Sequence, residues 1–172
     1  MKYADWIIQS LRDKGIKKDF VVQGGASGDL MDAFTRVEGI EYVAMFHEQA
    51  CSFAAEAYAK VTGGMGCVIV TSGPGGQNLL TGIANCYYDS TPVLFICGQV
   101  NSQFMGKGLV RQVGFQENDI VSQTESVTKL AIRAYDPFTL KDDFETACNE
   151  TLRGRQGPIV IDIPVDVQKK DV

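Results

Sequence analysis

Cys67-Val68-Ile69-Val70-Thr71-Ser72-Gly73-Pro74-Gly75-Gly76-Gln77-Asn78 is the stretch on which the fold depends. Residues 67–71 are apolar without alternation, the pattern of a strand covered on both faces inside a parallel sheet. Residues 72–78 are a glycine-rich turn, and a helix follows to about residue 88. A strand that gives way at once to a helix needs helical layers above and below its sheet.

The same alternation extends outward in both directions. Downstream, residues 92–97 read as a strand, 98–110 as an exposed loop, and 112–122 as a short, partly helical segment. A fifth strand is expected over 126–133. Asp136-Pro137 then offers an N-cap with Pro at the first helical position, and that helix runs to about residue 153. Residues 157–164 form the last strand. Upstream, Tyr3, Trp6, Ile7, Ser10 and Leu11 mark one face of a helix that Gly15 ends. A strand over 19–23 leads into Gly24-Gly25, with Ser27 as N-cap of a helix to about Arg36. Residues 40–45 are the remaining strand. Strands joined by helical connections are parallel, with right-handed crossovers. The fold class is therefore α/β, a three-layer α/β/α arrangement around a parallel sheet of about six strands. Residues 1–172 read as a single domain without repeats, and the polar tail after Pro164 reads as a domain edge.

Composition removes several classes of function. Sixteen basic against 21 acidic residues leave a net charge of -5, which argues against nucleic-acid binding. No apolar run reaches the ~18 residues of a membrane span. The start, Met1-Lys2-Tyr3-Ala4-Asp5-Trp6, lacks the pattern of a signal peptide. Five scattered cysteines, several inside apolar runs, argue against a disulfide framework and for a reducing cytoplasm. His47 is the one histidine, and Cys51 stands where H-E-x-x-H requires a second, so zinc sites built on paired histidines are excluded.

His47-Glu48-Gln49 opens an alanine-rich helix that Gly63 closes. Ala50, Ala54 and Ala57 keep one of its faces narrow, so that a backbone or flat ligand can approach Glu48. By position alone, Glu48 is an ordinary acidic complement to the helix dipole. Topology adds more. In open parallel sheets ligands bind beyond the carboxyl ends of the strands. Gly24-Gly25-Ala26, Glu48 and the turn Gly73 to Asn78 each follow a strand, so all three belong on one edge. The turn does not complete any familiar phosphate or nucleophile motif. Asn78 replaces the third glycine of G-x-G-x-x-G, Gly108 follows Gly106-Lys107 where a P-loop needs Ser or Thr, and Val70 occupies the first glycine of G-x-S-x-G.

Several ordered motifs carry a resemblance. They are His47-Glu48-Gln49 with Tyr58-Ala59-Lys60-x-Thr62-Gly63, and Thr71-Ser72-Gly73-Pro74-Gly75-x-x-Asn78. Thr81-Gly82-Ile83, Tyr88-x-Ser90-x-Pro92 and Gly98-Gln99-Val100 follow. Phe115-Gln116-Glu117-x-Asp119-Ile120 and Gly157-Pro158-x-x-Ile161-Asp162-Ile163-Pro164-x-Asp166-Val167-Gln168 complete the set. Together they span nearly the whole chain. The sequence resembles the pyrimidine-binding domain of thiamine-diphosphate enzymes, in the acetolactate-synthase-like group.

The resemblance implies a function that the residues alone do not. The matching glutamate, Glu48, hydrogen-bonds N1′ of the cofactor's aminopyrimidine and favours the tautomer whose 4′-nitrogen takes the proton from thiazolium C2. To trade a proton with a ring nitrogen, Glu48 must be desolvated and its pKa raised. Gln116 is implied as a second catalytic residue. Pro74, Gly75 and Asn78 line the pyrimidine pocket, while Gly25, Ala26 and Phe115 lie near the reacting carbon. Taken without the resemblance, Gly25 shapes a turn and Phe115 is a core residue. His47 is expected to bond locally, and Glu56 to be structural.

The implied activity is that of a 2-oxo-acid decarboxylase or carboligase, with a 2-oxo acid such as pyruvate as substrate. No metal ligands are expected here: Gly28-Asp29-Leu30 is not the G-D-G of the diphosphate-binding domain, where Mg²⁺ belongs. The central and diphosphate-binding domains of the family are expected outside this chain. The partner implied is the diphosphate-binding domain of a second chain, in a homodimer or larger assembly, and the isolated chain is expected to be inactive. The alternatives are a non-catalytic dimerising or regulatory module, or one subunit of a split decarboxylase.

Overall fold

The described residues form six strands: β1 (Lys18–Val21), β2 (Glu41–Ala44), β3 (Gly66–Val70), β4 (Val93–Gln99), β5 (Leu130–Arg133) and β6 (Ile159–Pro164). They come from a computed structural model that describes residues 1–106 and 110–172. The strands form one sheet in the order β2-β1-β3-β4-β6-β5. Every pairing is parallel. Every residue of β3, β4 and β6 is buried, as the apolar run of β3 requires.

Alternating side chains send each central strand into two cores. On one side Cys67 and Ile69 of β3 meet Ile7, Leu11, Leu30 and Phe144. These come from helices α1 (Tyr3–Asp13), α2 (Gly28–Ala33) and α7 (Leu140–Leu152). On the other, Val68 and Val70 meet Cys51, Ala55, Ile83 and Ile120. Those belong to α3 (Glu48–Thr62), α5 (Leu80–Asp89) and α6 (Ile120–Thr124), while α4 (Pro74–Gln77) and α8 (Val165–Gln168) are single turns. The three-layer α/β/α reading of the sequence is what the structure shows. All five cysteines are free and buried. Among the described residues no helix is long and apolar enough to cross a membrane.

Several boundaries differ from the sequence reading. The expected loop over 98–110 starts late, because Gly98 and Gln99 continue β4 by pairing with Ile163 and Pro164. Lys107, Gly108 and Leu109 of that loop lie outside the described residues. The glycine turn is itself helical from Pro74, so one expected helix is two. Ser27 sits at the N-cap position of α2 but does not cap it; its hydroxyl donates back to the Gly24 carbonyl at 3.2 Å. α2 ends at Ala33, three residues before Arg36. Asp136 does not cap α7 at Pro137: its carboxylate accepts from the Phe138 N–H at 2.9 Å, forming a turn, and the helix begins at Leu140. β5 begins at Leu130, since Glu125–Val127 is a 3-10 turn.

The two ends of the chain meet. The Tyr3 N–H donates to Lys170 O at 2.9 Å and the Val172 N–H to Met1 O at 2.9 Å. Lys2 and Asp171 form an antiparallel bridge between these contacts.

Candidate functional site

Glu48 is the first residue of α3, and its N-cap is His47, whose Nδ1 accepts the Gln49 N–H at 3.2 Å. His47 therefore bonds locally, as expected. Gly63 ends the helix with φ of 69°. The buried face of α3 is Glu48, Cys51, Ser52, Ala55, Glu56 and Ala59. The Ala50, Ala54 and Ala57 face of the sequence reading is a different one, which this chain's own packing leaves largely uncovered. Ala50 and Ala57 are exposed. Alanine is equally good on either side of a helix, so its spacing does not say which side the sheet covers.

α5 runs in the same direction along α3, and Asn78, just ahead of it, reaches Glu48. The seam between the helices has three rungs. At the middle rung Gly82 has no room for a side chain: an added Cβ would lie 1.7 Å from Ser52 Oγ. One turn earlier on α3, Glu48 Oε2 accepts at 2.9 Å from Nδ2 of Asn78, which ends α4 just ahead of α5. One turn later, Asn85 Nδ2 donates to Glu56 Oε2 at 2.8 Å, and Lys60 Nζ completes Glu56 at 2.6 Å. Close approach at Gly82 thus brings Asn78 to Glu48, and Glu56 is structural. Glu48 is 8% exposed. The Asn78 contact is the one hydrogen bond to its carboxylate among the described residues. Oε1 stays available.

Cys51, on the same face of α3, is no competing nucleophile. Burial, reinforced by the charge of Glu48, pushes its thiol up to about 12, so it stays protonated.

The other predicted residues lie on the same sheet edge. Ala26 belongs to a 3-10 turn (Gly25–Ser27) after β1, and its N–H donates to Thr71 Oγ1, just past β3, at 3.2 Å. An added Cβ at Gly25 would meet nothing within 4 Å, so open space borders this turn. Gly73, with φ of 62°, leads into Pro74 and packs against the carbonyl of Gln116, 2.8 Å from where a Cβ would sit. Gln116 itself has φ of 64°, a left-handed conformation rare outside glycine and costly unless the surroundings hold it. They do. The Glu117 N–H bonds Gly114 O at 3.0 Å, and the Glu117 carboxylate accepts from the N–H groups of Gly106 at 2.6 Å and Val113 at 2.7 Å. Pro74 and Asn78 are exposed, and Gly75 is buried against Thr71. Phe115 is 86% exposed, which overturns its reading as a core residue. Glu48 with Asn78, Ala26 with Thr71, and Gln116 with Gly73 are direct contacts, so the predicted set converges from four loops.

Residues 1–125 match the sequence model described as thiamine pyrophosphate enzyme, N-terminal TPP binding domain. The chain belongs to this family. The sheet continues past the matched part, since β5 and β6 lie beyond residue 125. The chain is 43% identical over 167 residues to the acetolactate synthase large subunit of Haemophilus influenzae, covering 95% of this chain and 28% of that protein. It is 40% identical over 168 residues to the acetolactate synthase isozyme 3 large subunit of Escherichia coli, again 95% and 28%. It is 38% identical over 169 residues to a chloroplastic acetolactate synthase of Arabidopsis thaliana, covering 98% and 24%. This thiamine pyrophosphate enzyme domain is of the acetolactate-synthase-like kind, and it spans about a quarter of the length of those relatives.

Sequence reasoning gave no role to a second polar cluster on the same edge. Asp162, fully buried at β6, accepts from Gln99 Nε2 at 2.9 Å and from Tyr135 Oη at 2.8 Å, while its Oδ1 has no partner. Burial outweighs these bonds and pushes its carboxyl up to about 7. Gln99 and Tyr135 also line a cavity of about 580 Å³ with Met105, Asn118 and Arg133. The signal available was a lone aspartate within an otherwise apolar strand, Ile159 to Ile163. Among the described residues no group of three or more His, Cys, Asp or Glu side chains is placed to hold a metal ion.

Proposed function

We propose that this chain is the pyrimidine-binding half of a thiamine-diphosphate-dependent 2-oxo-acid decarboxylase or carboligase, with Glu48 activating the cofactor through N1′. The observation that supports this most is the Glu48 carboxyl itself. It is desolvated at a helix start, held through Oε2 by Asn78 of the glycine turn, and open at Oε1.

The residues fit the group. Open space borders Gly25, and Pro74 is exposed at the glycine turn, so neither closes the carboxyl edge to a ligand. When bound, thiamine diphosphate supplies the thiazolium carbon that adds to the carbonyl of a 2-oxo acid. Glu48 holds and exchanges a proton at N1′, as a positioned acid–base group does. Asn78 fixes the rotation of that carboxyl. Gly25, Ala26, Phe115 and Gln116 border the place of the substrate, for which pyruvate is the simplest candidate. Gln116 is the member of that set with a hydrogen-bonding side chain.

The diphosphate and its Mg²⁺ belong, in this reading, to the diphosphate-binding domain of a second chain. A site assembled between chains needs an apolar, exposed rim, and Phe46 and Phe115 supply one at the carboxyl edge. Five free, buried cysteines fit a reducing compartment, the cytoplasm in this proposal.

Glu48→Ala in the intact protein tests the assignment. Deuterium exchange at cofactor C2 should slow by about 10²- to 10⁴-fold, the usual worth of a positioned acid–base group. An unchanged exchange rate removes Glu48 from the mechanism. If exchange is intact but no 2-oxo acid is turned over, the non-catalytic reading replaces the enzyme reading.

A further inference from the structure

The main chain of Ala26 is gripped from three directions. Its N–H is held by Thr71 at the end of β3. Its carbonyl oxygen rests on Gly98 of β4, where an added Cβ would lie 2.0 Å away. The same oxygen accepts from Gln168 Nε2 at 2.8 Å, across 142 residues of sequence.

Gln168 is an unusual donor. It is 0% exposed. Its Nε2 also donates to Ile163 O at 2.8 Å, so both amide hydrogens go to main-chain carbonyls. Its Oε1 is buried with no partner among the described residues, a desolvation cost that an apolar side chain of the same size would not carry. Its neighbour on α8, Asp166, holds the loop after β4 by accepting the Ser102 N–H at 2.8 Å and the Ser102 hydroxyl at 2.7 Å. One helical turn at the end of the chain therefore reaches two of the loops beyond the carboxyl edge.

We propose that Gln168 is a positioning residue for the substrate side of the site, acting through Ala26. It sets the height of the Gly25–Ala26 turn relative to Glu48, so that a 2-oxo acid bordering the turn meets the cofactor at bonding distance. This rests on the function proposed above. Glu48 is reached through Asn78 of the glycine turn, a separate route, so the two halves of the chemistry separate experimentally.

The test uses Gln168→Glu and Gln168→Met in the intact protein, with thiamine diphosphate, Mg²⁺ and pyruvate. Gln168→Glu keeps the shape but sets an acceptor against two carbonyls; Gln168→Met removes the donors without adding charge and serves if the first variant does not fold. Turnover of pyruvate should fall about ten- to a hundredfold, the loss expected from a misplacement near 1 Å. C2 deuterium exchange should stay at the wild-type rate, and hydrogen exchange at the Ala26 amide should quicken. Equal losses in C2 exchange and turnover, or no loss of turnover in Gln168→Met, overturn the proposal. Absence of C2 exchange in the wild-type protein instead sinks the assigned function, and the Ala26 amide then reports separately whether Gln168 holds the turn.

Discussion

Asp19 shows how a single residue sets a pH dependence. It lies in β1, fully buried, and neither oxygen makes a hydrogen bond of ordinary geometry. Burial pushes its carboxyl from 3.8 up to about 7, offset in part by the weak thiol donor of Cys67. A carboxyl raised on folding binds its proton more tightly in the native state than in the unfolded chain. Its stabilising contribution is thus complete below about pH 4 and is lost as the pH rises through about 7. Asp162 acts in the same direction. Thermal melting of the wild type should therefore decline from mildly acidic to slightly alkaline pH, and Asp19→Asn should flatten that decline. Equal slopes in the two proteins would show that Asp19 does not titrate in this window. The sequence did not reveal this residue. A charge between Lys18 and Phe20 reads as the solvent side of a strand, and its burial comes from the covering of β1 by the rest of the fold. Glu48 was legible only as the acid in the first turn of a helix, which is local information; its proposed role, like that of Asn78, came from the resemblance.

At the level of elements, the α3–α5 seam decides the site. The spacing Glu48, Ser52, Glu56 on α3 matches Gly82 and Asn85 on α5 and Asn78 just ahead of it, a complementarity that neither segment reveals alone. Gly82→Ala should force the helices apart and lower the urea midpoint, costing about 1–3 kcal/mol as overpacked cores do. Ser52→Gly should recover part of the loss, and a double-mutant cycle would measure the coupling. Additive losses would mean that the two residues do not share a contact. Strands and most helices were legible from apolar runs and glycine stops. The helical turn Pro74–Gln77 was not, because glycine disfavours helix and the turn is held by packing of Gly76 on Ile120. The order of the strands was equally hidden: alternation fixes their direction, but β6 enters between β4 and β5 only in three dimensions.

Across the whole molecule, large apolar side chains gather where a second chain is proposed to sit. Tyr42 and Val43 are exposed on the edge strand β2, Phe46 is fully exposed just beyond it, and Phe53 lies on the outer face of α3. A bare edge strand beside exposed aromatics is a site for association. Phe46→Asp should shift sedimentation of the intact protein toward a smaller species while leaving its circular dichroism and melting unchanged. Unaltered sedimentation would remove this side from the assembly. The meeting of Met1 with Val172 has a consequence of its own. Taken as an isolated stretch, residues 1–172 would close into a ring through a short glycine bridge without moving a strand. Reopening that ring at the exposed residues 153–156 would yield a permuted protein whose sheet, and whose Glu48 to Asn78 contact, form from an entirely different order of synthesis.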